Sequence, residues 1–252
     1  MRDHTRKRAE TVRLVGVVPL PPLPDDSDVG SVSPVEATDH FLEECQQILS
    51  SNIGSLLLVN ERSFPFSNNL SPRDVAFVTR VLLELRQTIG SVRIGIDLVD
   101  DAEATFAVAS VAECDFVRVR VAGPYDGMTK FVRADQRKIR DLVQRSAGSF
   151  ETWIAVLPWG EKLSGTWTLP DLSAVIIESI DPNRVTVPIS SSMDVVERIG
   201  EEKVIFDGGV DIGGLFRESG TYVLGSALRT GHILNPLDHA ALARASKISS
   251  AD

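Results

Sequence analysis

The chain has 252 residues, of which 43% are hydrophobic and 24% charged, and its 26 basic and 35 acidic residues give a net charge of −9. That length suits one large domain or two small ones. So acidic a chain is a poor candidate for sequence-independent binding to nucleic acid, which needs a basic face. Its two widely separated cysteines, Cys45 and Cys114, make neither a disulfide framework nor a zinc cluster. Composition therefore predicts a soluble, globular and cytoplasmic protein without a nucleic-acid partner.

The amino-terminal residues are basic, but no apolar run follows them that could form the core of a secretory signal. The longest apolar stretches, 56–59 and 174–177, are far shorter than the roughly 18 residues that a membrane span needs. We therefore expect residues 1–12 to be a short flexible leader, and we expect no membrane span.

Short apolar runs alternate with longer amphipathic segments along the rest of the chain. The predicted strands are 13–18, 55–59, 92–98, 116–121, 152–157, 174–178, 204–207 and 222–225. The predicted helices are 34–49, 71–90, 102–113, 135–146, 193–199 and 236–245. Ser71 and Pro72 suit a helix start, and Gly90 suits a helix end. The stretch 159–171 is expected to form a loop instead of a full fifth helix.

The predicted strands lack a clean polar alternation, which is typical of parallel strands buried on both faces. Eight of them in serial β-α order over about 240 residues predict a single (β/α)8 TIM barrel, with residues 13–252 as the barrel domain. An open Rossmann-like sheet is the alternative, and it would need a glycine fingerprint after the first strand. The sequence there is Pro19-Leu20-Pro21-Pro22, and proline lacks the N–H that holds a pyrophosphate.

Active sites of such barrels lie at the carboxyl ends of the strands. Charged and polar residues predicted there are Asn60, Glu61, Asp97, Asp100, Asp101, Glu178 and Asp207, with Arg118 and Arg120 within strand four. Asp100 and Asp101 precede a helix, so a role as helix N-caps or as solvated loop charges explains them better than catalysis does. Asp97, Glu178 and Asp207 are the candidates for proton transfer, and Arg120 is the candidate for stabilising negative charge. Asn60 and Glu61 are candidate substrate-binding residues.

Glycine turns close the last two predicted strands, at Gly208-Gly209 and at Gly225-Ser226. Backbone N–H groups of such turns can approach an anion, and barrels commonly bind a substrate's phosphate at this place. A Gly-Gly pair alone is ordinary turn punctuation. Its occurrence beside Gly-Ser at the next strand predicts a phosphate site formed by Gly208, Gly209, Gly225 and Ser226.

Other catalytic arrangements find less support in the sequence. No Gly-x-Ser-x-Gly elbow occurs, and nothing near Cys114 indicates an activated thiol. The four histidines lack close metal-ligand spacing, so no metal site is predicted and no cofactor can be named. The tryptophans Trp153, Trp159 and Trp167 are better explained by packing than by stacking on nucleic-acid bases.

Four segments resemble the BtpA/SgcQ family of TIM-barrel proteins. Residues 15–24 resemble its opening strand and proline motif, and 59–66 its second-strand loop. Residues 115–121 resemble its Asp-Phe-Ile-Arg-Val-Asn-Val strand, and 225–238 its terminal Gly-Thr/Ser turn and Asn-Pro-Val-Asp helix start. The resemblance implies a TIM barrel; some members are associated with photosystem I biogenesis and others with sugar metabolism.

Departures from the family pattern make this chain a divergent member. Pro19 stands where the family has His, and Arg120 where it has Asn; strand five, 154–159, lacks the family's Asp, His and Lys. Two functions therefore remain open. One is an enzyme (lyase, isomerase or glycosyl-type) acting on a small phosphorylated metabolite, a sugar or nucleoside phosphate. The other is a non-catalytic barrel that serves as an assembly, biogenesis or regulatory factor. Whether the chain forms a homo-oligomer also remains open.

Overall fold

The computed structural model describes residues 12–25, 33–63, 66–122, 136–146, 148–156, 174–178, 203–207 and 220–249. The strands are β1 (Val12–Pro19), β2 (Ser55–Val59), β3 (Arg93–Asp97), β4 (Phe116–Ala122), β5 (Glu151–Val156), β6 (Ala174–Glu178), β7 (Val204–Asp207) and β8 (Gly220–Leu224). The helices are α1 (Pro34–Leu49), α2 (Pro72–Ile89), α3 (Ala102–Val111), α4 (Gln136–Arg145) and α5 (His239–Ser249), and a short 3-10 helix spans Ser226–Leu228.

The eight strands form one parallel sheet in which each strand pairs with the next along the chain. Strand β8 also pairs with β1, so the sheet closes on itself. The predicted parallel α/β fold is confirmed. Single helices connect the first five strands, and α5 follows β8. The helix predicted at 193–199 and the loop predicted at 159–171 lie outside the described residues.

Local sequence explains where α1 and α2 begin and end. Ser33 and Glu36 form a capping box at the start of α1, each side chain accepting the other's backbone N–H. Ser71 caps α2, and Pro72 occupies its first turn, where a missing N–H costs nothing. Gly90 ends α2 with a φ of 66°, a conformation that glycine adopts without strain.

Three predicted helix boundaries are wrong. The last helix is His239–Ser249, so it begins three residues after the predicted start at Pro236 and ends four residues after the predicted end at Ala245. Leu237 instead bridges Arg229 in an antiparallel pair, and the Asp238 side chain accepts the N–H of Ala240 at the helix start. The helix predicted to reach Glu113 ends at Val111, since Glu113 has a φ of 51° and cannot continue a right-handed helix.

The apolar residues form two layers. The larger layer lies between the strands and the helices, and the smaller one fills the inside of the barrel with residues from six strands. Within the barrel, the rings of Phe116 and Trp153 stack with centroids 3.8 Å apart. Gly95 makes this stack fit, because a Cβ there would lie 2.0 Å from Cε2 of Phe116. The packing explanation for Trp153 is confirmed, whereas Trp159 and Trp167 lie outside the described residues.

Within the described part of the chain, every helix is too short or too polar to cross a membrane.

The cysteines both lie in the outer apolar layer, buried between strands and helices.

Candidate functional site

Strand β4 points Phe116, Arg118 and Arg120 to the same side, because side chains alternate along a strand. Phe116 belongs to the apolar cluster inside the barrel, so the two arginines also face inward, progressively nearer the carboxyl end. Arg118 is only 3% exposed, and Arg120 is half-buried. A guanidinium buried this deeply requires partners, because desolvating an unpaired charge is costly.

Two carboxylates from different strands supply those partners. The Nε of Arg118 donates to Oδ2 of Asp97, at the end of β3, across 2.7 Å. Its Nη1 donates to Oδ2 of Asp207, at the end of β7. Since β4 and β7 are not neighbours, the second bond crosses the inside of the barrel. The structure thus brings together two of the predicted proton-transfer residues and joins them through one arginine.

The other predicted acidic residue of this group, Glu178, is the last residue of β6 and pairs in register with Asp207. Register therefore places Glu178 at the same level of the barrel as the Asp97–Arg118–Asp207 cluster.

Asp100 and Asp101, next to this cluster, have different roles. Asp101 is the N-cap of α3: its carboxylate accepts the N–H of Ala104 at 3.0 Å and that of Leu70 at 2.8 Å. The capping interpretation is therefore confirmed for Asp101. Asp100 accepts no such bond in α3 and has a φ of 68°, a left-handed conformation that is strained for most residues but more accessible to Asp and Asn.

The electrostatic surroundings of Asp100 link it to the cluster. Its partial burial raises the pKa of the carboxyl group, the charge of Arg120 opposes that rise, and the charge of Asp97 adds to it. Asp100 therefore lies within electrostatic range of Asp97, a candidate base, and of Arg120. This position makes Asp100 a further candidate for proton transfer. Of the two structural explanations predicted for this pair, capping does not apply to Asp100, and its half-buried side chain is not a fully solvated loop charge.

Asn60, after β2, is 1% exposed, and its Oδ1 accepts the N–H of Val99 at 2.7 Å. That bond ties the loop after β3 to the end of β2. The Nδ2 of the same amide is buried without a hydrogen-bond partner. Glu61 follows it and is half-exposed.

Gly225 lies between β8 and the 3-10 helix, and Ser226 is the first residue of that helix. A Cβ atom added to Gly225 would lie 3.7 Å from the Cβ of Val17. Arg229, just beyond, is buried and donates to the carbonyls of Val17 and Asn235 and to the carboxylate of Glu44 on α1. This arginine holds the turn after β8 against β1 and α1. Gly208 and Gly209 lie outside the described residues.

Sequence reasoning gave no role to Arg118, which joins the cluster. The alternation Phe116, Arg118, Arg120 within an apolar strand was an available signal, since an inward arginine in a buried strand needs carboxylate partners at neighbouring strand ends. The Glu44–Arg229 pair was also missed, because it joins residues 185 positions apart in the chain.

The thiols show no sign of activation. Burial raises the pKa of Cys114 to about 12, and burial likewise raises the pKa of Cys45. Both thiols therefore stay protonated near neutral pH, as expected for Cys114 from the sequence. Across the described residues, no group of three or more His, Cys, Asp or Glu side chains is arranged to hold a metal ion.

Two solved structures share the fold with low sequence identity. Tryptophan synthase subunit alpha from Legionella pneumophila has a TM-score of 0.58 and 10% identity, covering 94% of this chain and 92% of that one. For 3-keto-L-gulonate-6-phosphate decarboxylase from Vibrio cholerae the TM-score is 0.54 and the identity 11%, with 95% of each chain covered. At such identities the likeness shows a TIM-barrel-like fold and nothing about activity.

Three sequence relatives each match less than half of the chain. An uncharacterized protein from Archaeoglobus fulgidus is 31% identical over 109 residues, which are 43% of this chain and 42% of that protein. The match thus spans less than half the length of that relative. The BtpA family model matches residues 10–125, which contain β1 to β4 with Asn60, Asp97 and Arg118. Over residues 10–125 this chain resembles the BtpA family, as the motifs at 15–24, 59–66 and 115–121 predicted; the motif at 225–238 lies outside the matched residues.

Proposed function

We propose that the protein is an enzyme of the (β/α)8 class that acts on a small phosphorylated metabolite at the carboxyl ends of its strands. The observation that carries this proposal is the buried Asp97–Arg118–Asp207 cluster. Burying three charges contributes little net stability, and apolar residues of similar volume often stabilise more. Such groups at this end of a parallel barrel are typical of catalytic sites.

In this proposal Arg118 orients two carboxylates. One guanidinium bond holds Oδ2 of Asp97 and another holds Oδ2 of Asp207, so both side chains are fixed before a ligand binds. Asp97, Asp207 and Glu178 transfer protons, with Asp100 as a further candidate. Arg120, half-buried above them, stabilises negative charge that develops on the substrate.

The phosphate would bind at the ends of β7 and β8, at Gly208, Gly209, Gly225 and Ser226, and Asn60 and Glu61 would contact the rest of the substrate. A net charge of −9 repels anions at long range. The phosphate site must therefore be local and formed from backbone N–H groups and a few arginines.

The fold neighbours, which align with more than nine-tenths of the chain, support the proposal that the chain from β1 onward forms one complete eightfold β/α barrel. Strand β1 begins at Val12, one residue before the predicted boundary at residue 13. We also propose a cytoplasmic location. Light scattering of the purified protein measures whether it forms a homo-oligomer.

The experiment is a thermal-shift screen with phosphorylated sugars and nucleosides, followed by turnover assays of the compounds that bind. Asp97→Asn and Asp207→Asn are each expected to lower turnover at least 100-fold, the scale of losing a general acid or base. Asp39→Asn, on the exposed face of α1, is the matched control and leaves turnover unchanged. Unchanged turnover in both test variants would contradict the assignment of these two carboxylates.

The second candidate is a barrel that binds a phosphorylated ligand without turnover, as an assembly, biogenesis or regulatory factor. It is favoured by Pro19 at the end of β1, where the resembling family has His, and by the absence of acid or base groups in 154–159. Stable binding with no product across the whole panel would favour this function, and formation of any product would exclude it.

A further inference from the structure

The loop after β8 turns one apolar side chain into the mouth of the barrel. Residues 229–238 connect the short 3-10 helix to α5, and Ile233 lies in the middle of this segment. Its neighbours on both sides are exposed: Thr230, Gly231, His232 and Leu234. Ile233 is instead only partly exposed and packs against the apolar cluster inside the barrel. The loop therefore adds apolar surface to the carboxyl end of the barrel interior.

Hydrogen bonds within the loop fix this inward position. At its base, Arg229 and Leu237 bridge in an antiparallel pair. Asn235 holds the middle of the loop, because its N–H donates to the carbonyl of His232 at 2.9 Å and its Nδ2 donates to that of Thr230 at 2.8 Å. The loop therefore keeps its shape through its own contacts, and the position of Ile233 is set before a ligand binds.

Ile233 covers the inward face of Gly225, the residue that follows β8. A Cβ atom added to Gly225 would lie 3.2 Å from Cδ1 of Ile233, and the side chain of Val17 borders the same space. Val17 is only 5% exposed, so it is closed to a ligand. Part of the Ile233 surface remains exposed, which makes Ile233 the side chain of this group that a ligand at the mouth can contact.

The charged residues of the mouth come from other strands. Asp97, Arg118 and Asp207 belong to β3, β4 and β7. Toward their carboxyl ends, the inward residues of β8, β1 and β2 are all apolar: Val223, Val17, Pro19, Leu57 and Val59. A substrate that reaches from the charged cluster to Ile233 therefore meets charges at one end and apolar surface at the other.

An apolar contact discriminates between the two substrate classes of the proposed function, sugar phosphates and nucleoside phosphates. Sugar hydroxyl groups placed against Ile233 would lose hydrogen bonds to water without replacement, which is costly. The ring of a nucleoside base instead gains the hydrophobic free energy of the apolar area that it buries. Small-molecule sites commonly combine apolar walls with a few polar groups in this way.

We propose that Ile233 is a specificity-determining residue that contacts the base of a nucleoside phosphate, so that the protein binds nucleoside phosphates in preference to sugar phosphates. The inference deepens the proposed function and rests on it for the place of the substrate at the carboxyl ends of the strands. Strands β7, β8 and β1 are consecutive in the barrel. At about 4.8 Å per strand, the ends of β7 and β1 lie about 10 Å apart. This span leaves room for a ribose between a phosphate bound after β7 and a base at Ile233.

The test compares adenosine 5′-monophosphate with ribose 5-phosphate, which lacks the base, in NMR titrations of the full-length protein. We expect the monophosphate to bind about tenfold more tightly, as burial of one apolar ring face predicts. It should also shift the Cδ1 methyl resonance of Ile233 saturably. Ribose 5-phosphate is expected to leave that resonance in place.

Ile233→Thr keeps the branched Cβ and replaces apolar surface by a hydroxyl group. It is expected to reduce the preference for adenosine 5′-monophosphate to less than about threefold. Leu234→Thr, at the next position of the same loop, is the matched control and leaves the preference unchanged, since Leu234 is 38% exposed and does not belong to the inner cluster. Ile233→Val retains an apolar side chain and should retain most of the preference, which separates loss of the contact from loss of the fold.

Equal affinities of the two ligands for the wild-type protein would overturn the inference. An Ile233 methyl resonance that the monophosphate does not shift would overturn it too, and so would an unchanged preference in a folded Ile233→Thr variant. Adenosine, which lacks the phosphate, separates this inference from the proposed phosphate site. If adenosine shifts Ile233 and binds as tightly as the monophosphate, the phosphate site alone is contradicted and the contact of the base with Ile233 is supported.

Discussion

The two ends of the barrel differ in how they treat charge. At the amino-terminal end, the stacked rings of Phe116 and Trp153 fill the interior, and the ion pair Arg93–Glu151 lies half in solvent with side chains 39% and 47% exposed. Toward the carboxyl end, Arg118 and its two carboxylates are at most 10% exposed. Charge is solvated at one end and buried at the other.

This difference indicates that the amino-terminal end of the barrel contributes mainly to stability and the carboxyl end to chemistry. A single strand, β4, contributes to both: Phe116 stacks on Trp153, and Arg118 binds the carboxylates of Asp97 and Asp207. The apolar end excludes water from the barrel, and a dry interior strengthens every electrostatic interaction within it. Substitutions at one end of the barrel can be made without changing the other end, and the largest expected change in stability is at the buried cluster.

Arg118→Met has the largest expected effect. It leaves Asp97 and Asp207 buried without their cation, which should lower the free energy of unfolding by about 3–5 kcal/mol. Chemical denaturation at pH 7 measures the loss. The triple variant Arg118→Met, Asp97→Asn and Asp207→Asn removes all three charges and should recover most of the stability. If Arg118→Met alone costs under about 1 kcal/mol, the cluster is not the buried network described above.

Gly95→Ala tests the opposite end. The new Cβ would lie 2.0–2.3 Å from ring atoms of Phe116, so either the ring or the strand must move. We expect a loss of about 1–3 kcal/mol from overpacking. The double variant Gly95→Ala, Phe116→Leu makes room for the methyl group and should cost less than the sum of the two single changes. Additive costs in the denaturation curves would contradict the steric explanation.

Asp100→Asn is expected to stabilise the protein at neutral pH. Burial raises the pKa of Asp100, so its contribution favours folding below the ordinary pKa of aspartate and is lost as pH rises through the raised value. Asn keeps the shape, tolerates the φ of 68° and carries no charge. The Tm at pH 7 should rise by about 1–3 °C, with no rise near pH 3.

Asp101→Ala is the contrasting variant, since it removes an N-cap and should cost about 1 kcal/mol at pH 7. An equal loss in Asp100→Asn and Asp101→Ala would mean that Asp100 is a structural residue too. A gain in Asp100→Asn together with weaker ligand binding would indicate that Asp100 is retained for function at some cost in stability.

Arg93→Gln has the smallest expected effect and is the counterpart of Arg118→Met at the solvated end. Its ion pair with Glu151 spans 3.0 Å, but both partners are exposed to solvent. We expect a loss of at most about 1 kcal/mol, reduced further at high salt. A loss as large as that of Arg118→Met would remove the contrast between the two ends.

The parallel α/β fold was predictable from the amino-acid sequence, because each apolar run and each amphipathic helix is a local pattern. Ser71, Pro72 and Gly90 bound α2 through their own backbone preferences, and no distant residue is needed to explain them. Helix ends that depend on distant contacts were harder. The start of α5 depends on the bridge between Leu237 and Arg229, which no local rule reveals.

The pairing of the charged residues, in contrast, depends on how distant parts of the chain meet in the folded protein. The sequence predicts that Asp97 and Asp207 lie at the ends of β3 and β7. It does not predict that both bind Arg118, because the strands are brought together only when the barrel closes. Likewise, Asp100 and Asp101 are indistinguishable as adjacent letters, yet one caps α3 and the other takes a strained conformation beside Arg120. The physical reason is that burial and long-range pairing, which set the cost and the use of a charge, are properties of the closed barrel.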